Sequence, residues 1–197
     1  MTHVRCATYA FHVLFRRSEE KHSLAIAMTG VALGDRLLNV GCTDSSLLGS
    51  ISGKVGLSGR ACAMVPDESH AARARRGAEQ AGVLLEIETG PLEKFPFEDG
   101  AFNLVVLDNQ QGLLSNARPE LRVAMLQQSF RTLIPRGRIV VIEQAPRGGL
   151  GALFSSPAPE NPIYSPGGAV AALEAEGFRR VRPLGERNRL SFFEGVR

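Results

Sequence analysis

Five short apolar runs, each closed by a glycine, a proline or a polar turn and separated by stretches of helical character, constrain this chain most. They are Leu37 to Val40, Ala61 to Val65, Val83 to Ile87, Phe102 to Asp108 and Arg138 to Glu143. Leu47 to Val55, Asp67 to Ala81 and Pro119 to Leu133 carry the helical spacing between them. In the second of these helices acidic residues open the first turn and Gly82 ends it, while Pro119 suits an N-terminal position in the third. Strands that alternate with helices pair in parallel through right-handed crossovers. The expected fold is therefore α/β, a doubly wound, mostly parallel Rossmann-like sheet. Phe102 to Asp108 is apolar enough for its centre. Phe178 to Arg182 and Ser191 to Val196 complete it as an antiparallel C-terminal hairpin after a helix over Gly168 to Glu176. Ligands of such sheets bind at the carboxyl ends of the strands. That rule gathers Gly41 to Ser45, Val65 to Asp67, Thr89 to Leu92, Asp108 to Gln111 and Glu143 to Pro146 around one crevice.

A chain of 197 residues with 44% hydrophobic and 22% charged residues buries a core as one domain. Within it, residues 1–32 read as a helical flank or lid, 33–145 as the ligand-binding half, and 146–197 as a loop, a helix and the hairpin. The loop between Ala145 and Gly168 is rich in proline, glycine and serine. Formal charge is +3, and only Lys21, Lys54 and Lys94 of the 23 basic residues are lysines, so nucleic-acid binding is not implied. Cys6, Cys42 and Cys62 have no CxxC spacing, which argues against a disulfide framework or structural zinc and for a reduced, cytoplasmic protein. Met1 to Arg17 lacks a secretory pattern, and no run reaches the roughly 18 apolar residues of a membrane helix, so membrane insertion is not expected. Self-association or a protein partner is left open.

Three frames carry a family resemblance. They are Gly34-Asp-Arg-Leu-Leu-Asn-Val-Gly-Cys42, Phe95-Pro-Phe-Glu-Asp-Gly-Ala-Phe-Asn-Leu-Val-Val106 and Arg131-Thr-Leu-Ile-Pro-Arg-Gly-Arg-Ile-Val-Val-Ile-Glu143. Together they resemble the class I S-adenosylmethionine-dependent methyltransferases, in particular the small-molecule branch with the ubiquinone and menaquinone C-methyltransferases. The resemblance runs from Leu33 to Arg197 and implies a methyl transfer to a small-molecule acceptor, with residues 33–145 as the cofactor-binding half. It also implies where the cofactor would lie. Gly41 matches the first glycine of the cofactor turn, whereas Thr43 and Ser45 stand where glycines are usual and Asp44 where a threonine often sits. The acidic residue that takes the ribose hydroxyls aligns with Val65, and the nearest acid is Asp67. An aspartate that contacts the adenine amino group aligns with Pro91. The cofactor motif is thus degenerate. Cys42, Leu92, Asp108 and Asn109 complete the implied cofactor-binding set.

Methyl transfer needs a general base only when the acceptor holds a proton at the attacking atom. His12, Glu143 and Asp108 are the candidates; His12, like His22, also fits simple packing on a helix. Cys42 fits a small core residue better than a nucleophile. Arg73, Arg75 and Arg76 fit a solvated helix face. Against the enzyme stands a non-catalytic, methyltransferase-like subunit that has lost cofactor binding and serves as a binding or scaffold protein. A nicotinamide dehydrogenase is disfavoured, because the glycine spacing of its phosphate-binding turn is absent.

Overall fold

In the computed structural model, which describes residues 22–145 and 168–197, the five apolar runs become five parallel strands. These are β1 (Arg36–Val40), β2 (Arg60–Val65), β3 (Glu86–Thr89), β4 (Phe102–Asn109) and β5 (Leu133–Gln144). The hairpin strands are β6 (Arg179–Arg187) and β7 (Leu190–Val196). One seven-stranded sheet holds them in the order β3-β2-β1-β4-β5-β7-β6, with β7 antiparallel to both neighbours. Helices α1 (residues 22–29), α2 (Ser45–Gly53), α3 (Glu68–Ala81), α4 (Pro119–Thr132) and α5 (Gly168–Ala175) cover its two faces. This is the expected doubly wound sheet with its C-terminal hairpin. No helix among the described residues is long and apolar enough to cross a membrane.

Three strand boundaries move from their expected places. Gly82, at φ +65°, caps α3 with its N–H on Glu79 O, and the Val83 N–H bonds to Ala78 O. That helix end consumes the start of the third apolar run, so β3 begins at Glu86 rather than Val83 and Leu84 is left exposed. Strand β5 starts at Leu133, five residues early, and absorbs the Pro135-Arg136-Gly137 turn as an irregularity, with Arg136 at φ +65°. Strand β6 continues to Arg187 along the sheet edge, where Pro183 costs no ladder bond. Of the two helices expected before Val31, α1 is the second; the first lies outside the described residues, as does the interior of the loop between Ala145 and Gly168.

Two apolar layers sandwich the sheet. On one face Val105, Leu107 and Val141 pack with Met125 and Leu126 of α4 and Leu173 of α5. The other face packs Leu104, Val106 and Val140 with Ile26 of α1 and Leu47 and Ile51 of α2. Arg138 ties α1 down, donating to Gly30 O (2.9 Å) past the helix end and to Glu194 Oε1 (2.9 Å) on β7.

Helices α2 and α3 cross where each carries a glycine. A Cβ at Gly49 would overlap the Gly77 carbonyl, and one at Gly77 would overlap the Ser45 carbonyl at the start of α2. Backbone therefore meets backbone beside the loop that follows β1. Alanine at position 77 would gain up to about 1 kcal/mol of helix propensity, less than the roughly 1–3 kcal/mol of overpacking or more that a clash with backbone costs. We expect Gly77→Ala to lower the urea midpoint with an unchanged slope; an unchanged or higher midpoint would show that the crossing is not tight.

Candidate functional site

The crossovers on either side of β1 and β4 run in opposite directions, so the ends of these two strands open a crevice at the switch point. Gly41 turns the chain there at φ +85°, its N–H bonded to Met64 O (2.9 Å). A Cβ in its place would lie 2.8 Å from Leu113 Cδ2 and 3.3 Å from Asp108 O. Glycine is required at this point. Asp108, at the end of β4, accepts from the Thr43 N–H on Oδ2 (2.7 Å) and from the Gln110 N–H on Oδ1 (3.1 Å). Burial pushes its carboxyl pKa up, and these bonds oppose the rise.

Asp44 accepts from the N–H groups of Ser46 (2.9 Å) and Leu47 (3.1 Å) and so caps α2. Cys42 turns its thiol into the core with Leu48, Ala63 and Val65. Burial, then the Asp108 carboxylate, raises that thiol to about 11, which leaves it protonated and unsuited to nucleophilic attack. Its carbonyl accepts from Arg73 Nη1 (3.0 Å), so Arg73 braces the turn instead of joining a solvated face. Arg75 and Arg76 are exposed as expected, and Arg75 pairs with Glu68.

A cleft of about 310 Å³ opens here, lined by Gly41, Cys42, Thr43, His70, Asp108 and Gln111 among others. The implied ribose and adenine positions are not part of its polar lining. Val65 is fully buried and packs among Cys42, Ala71 and Ala74. Pro91 is exposed and has no side-chain donor or acceptor, while Leu92 packs into the layer under α4. Asp67 caps α3. Its Oδ1 accepts from Ser69 Oγ (2.6 Å) and the His70 N–H (3.0 Å), with His70 Nδ1 at 2.8 Å. Those bonds, the serine's foremost, hold its carboxyl well below the usual carboxylate range. Oδ2 takes none of them.

Glu143 and Asn109 face the α4 side. Asn109 Nδ2 donates to Glu143 Oε1 (2.9 Å), and Asn109 Oδ1 accepts from the N–H groups of Leu114 (2.6 Å) and Ser115 (3.2 Å). Burial, opposed by the Asn109 bond, raises the Glu143 carboxyl to about 7. His12 lies outside the described residues. His22 is buried at the start of α1, with Nε2 at 3.2 Å from Ser46 Oγ and 3.7 Å from Asp44 Oδ2, a contact over the α2 cap that its place on a helix did not reveal.

Sequence reasoning missed a second cleft beside the first. It measures about 350 Å³ and is lined by His22, Asp44, Gln110, Gln144, Arg187 and Phe192 among others. A third, of about 280 Å³, lies at the amino ends of the strands around Gly59, Arg60 and Glu86, away from the crevice. Among the described residues no three His, Cys, Asp or Glu side chains group to hold a metal ion.

The family of methyltransferase domains matches residues 38–141 of the 197. The chain belongs to the methyltransferase domain family. The match runs from β1 to β5 and includes the Gly41 turn and Asp108. Among solved structures, a SAM-dependent methyltransferase from Aquifex aeolicus is similar, with a TM-score of 0.71, 19% identity and 88% of each chain covered. The PH0226 protein from Pyrococcus horikoshii OT3 aligns at a TM-score of 0.64 and 16% identity over 92% of this chain and 90% of its own. The structure of PigF with SAH aligns at 0.63 and 16% identity over 94% of this chain and 59% of its own. At these identities the likeness is one of fold. Comparison with curated protein sequences gives no match.

The glycine turn at Gly41, where a Cβ would meet Leu113 and Asp108, lies within the matched residues of this methyltransferase domain. Glu143 supplies a test of the site's electrostatics. Its folded pKa of about 7 lies above the ordinary 4.5, so its contribution to stability is intact below about pH 4.5 and falls as pH rises through 7. Relative to Glu143→Gln, the natural protein should lose up to about 3 kcal/mol between those limits, read from urea unfolding at a series of pH values. Parallel curves for the two proteins would contradict the burial argument.

Proposed function

We propose that the protein transfers a methyl group from S-adenosylmethionine to a small-molecule acceptor through an altered cofactor pocket. The observation that carries the reading is the Gly41 turn, at φ +85° and wedged against Asp108 and Leu113, in a chain of this family. The motifs from Phe95 to Val106 and from Arg131 to Glu143 favour an acceptor like those of the ubiquinone and menaquinone C-methyltransferases.

Bound S-adenosylmethionine would supply a sulfonium-activated, electrophilic methyl group for a nucleophilic atom of the acceptor. The protein's part is to hold, align and exclude water. Backbone of Gly41 to Asp44 would hold the methionine end, Asp67 would offer Oδ2 to the ribose, and Leu92 would flank the base. Glu143, its carboxyl raised to about 7, is the proposed base that takes up a proton near neutral pH from an acceptor that must lose one. His12 stays a second candidate from the N-terminal flank.

Two charged acceptors are replaced, by Val65 and Pro91, at roughly 1–3 kcal/mol of lost binding each. Those two replacements also favour the second reading, a scaffold subunit without cofactor. Titration calorimetry with S-adenosylhomocysteine decides between them. We expect weak but saturable binding that Asp67→Ser, which keeps the α3 cap, weakens about fivefold without shifting the urea midpoint. No heat at millimolar ligand would favour the scaffold.

A further inference from the structure

Three leucines stand exposed at the amino ends of adjacent strands. Leu33 precedes β1, Leu57 precedes β2 and Leu84 precedes β3, with exposures of 76%, 97% and 86%. These strands neighbour one another in the sheet, so the leucines fall in a row. The Leu33 side chain lies over Gly56, where a Cβ would overlap its Cδ1, and Leu57 and Leu84 both line the cleft of about 280 Å³. Single exposed leucines are ordinary on a protein surface; a row of three beside an apolar cleft marks a contact surface.

Hydrogen bonds hold the base of the row. The Gly34 N–H donates to Val55 O (2.9 Å), the Arg60 N–H to Asp35 O (3.0 Å) and the Ala32 N–H to Asp35 Oδ2 (2.8 Å). The Gly82 cap and the Val83 bond to Ala78 O set the approach to Leu84.

Two features of this surface select its occupant. Leu57 projects beside a hole whose lining includes Val55, Val83 and Leu84. A knob next to a hole is self-complementary, because a two-fold axis between them seats the knob of each copy in the hole of the other. The charges around the row give the second feature. Arg36 and Arg60 stand on the β1 and β2 side and Glu86 and Glu88 on β3, all of them exposed. Arg60 Nε donates to Glu86 (3.0 Å), and Arg36 has no ion pair among the described residues. A surface with both signs suits neither an anionic bilayer nor a partner of uniform charge. Turned about a two-fold axis, it sets the cationic side of one copy against the acidic side of the other.

We propose that a second copy of this chain docks here, with Leu57 of each copy in the apolar cleft of the other. The crevices at the carboxyl ends of the strands stay open in such a pair, and the proposal does not depend on the methyl-transfer reading. From β1 to β3 the row spans two strand spacings, about 10 Å. A contact built on it is smaller than the roughly 800 Å² per partner of a standard interface, so the expected dissociation constant is weak, on the order of 10 μM.

Sedimentation equilibrium of the full chain from about 1 to 300 μM tests this, since association follows mass action. We expect the average mass to climb from the 21.2 kDa of one chain toward twice that value. Leu57→Asp should weaken the dimer by about a hundredfold or more and Arg36→Glu by about tenfold. Neither substitution touches the core, so the urea midpoint of the dilute protein should hold. In a Cys6→Ser background, which leaves only the buried Cys42 and Cys62, a short bismaleimide should couple two chains through Leu57→Cys. It should not couple them through Val123→Cys on α4, an exposed apolar position outside the row. The mass of one chain throughout overturns the proposal, and so does an assembly that both charge-changing variants leave intact. Binding to phosphatidylserine–phosphatidylcholine vesicles that Leu57→Asp abolishes, without any rise in mass, would assign the row to a bilayer and overturn the second copy.

Discussion

Asp108 is the carboxylate on which the site depends. It stands at the end of β4 and accepts N–H groups from the loop after β1 and from its own loop, at 2.7 and 3.1 Å. Burial of a carboxyl is costly, and charge-assisted bonds to backbone donors offset that cost where no cation stands by. The same bonds close the switch point of the sheet, seating Gly41 against Asp108 O and Leu113. The two neighbouring clefts, one on either side, are both bounded by these two loops. A turn that would otherwise have freedom to open is held to the central strand.

A second set of bonds runs in the same direction on the other sheet face. Asn109 joins Glu143 at the end of β5 to the N–H groups of Leu114 and Ser115. Adjacent residues of β4 thus serve two loops: Asp108 points to one face and holds the turn after β1, and Asn109 points to the other and holds the segment that leads to α4. Alternation of side chains along a strand makes this division unavoidable. The raised Glu143 carboxyl follows from its placement under that segment with one hydrogen bond to offset burial.

The sheet and most helix ends were legible because local rules fix them. Apolar runs bounded by turn residues located all seven strands and gave the bounds of four, β1, β2, β4 and β7, to within one residue, and Pro119 and Gly82 marked the start of one helix and the end of another. Strand β3 slipped because the Gly82 cap reaches one residue past the glycine, a detail of hydrogen bonding that apolar spacing does not encode. The Gly41 turn and the acids around it were legible too, but their roles were less so. Asp44 and Asp67 turned out to be helix caps, Arg73 a brace on the turn, and His22 a contact over α2. The second cleft was out of reach altogether. Its lining comes from α1 and four or more strand ends separated by up to 170 residues, and only the folded sheet brings them together.

The crossing of α2 over α3 has a mechanical side. Most helix pairs are separated by a layer of side chains, whose rotamers absorb small displacements before they reach a neighbour. At Gly77 that layer is missing, and the α3 backbone bears directly on the Ser45 carbonyl at the root of the loop that follows β1. A shift of α3 by a fraction of an ångström is therefore a shift of that loop by a similar amount. The helix acts as a stiff lever whose outer face, with exposed Arg75, Arg76 and Glu79, is accessible from solvent. Between that outer surface and the turn no intervening side-chain layer at Gly77 is available to absorb a displacement.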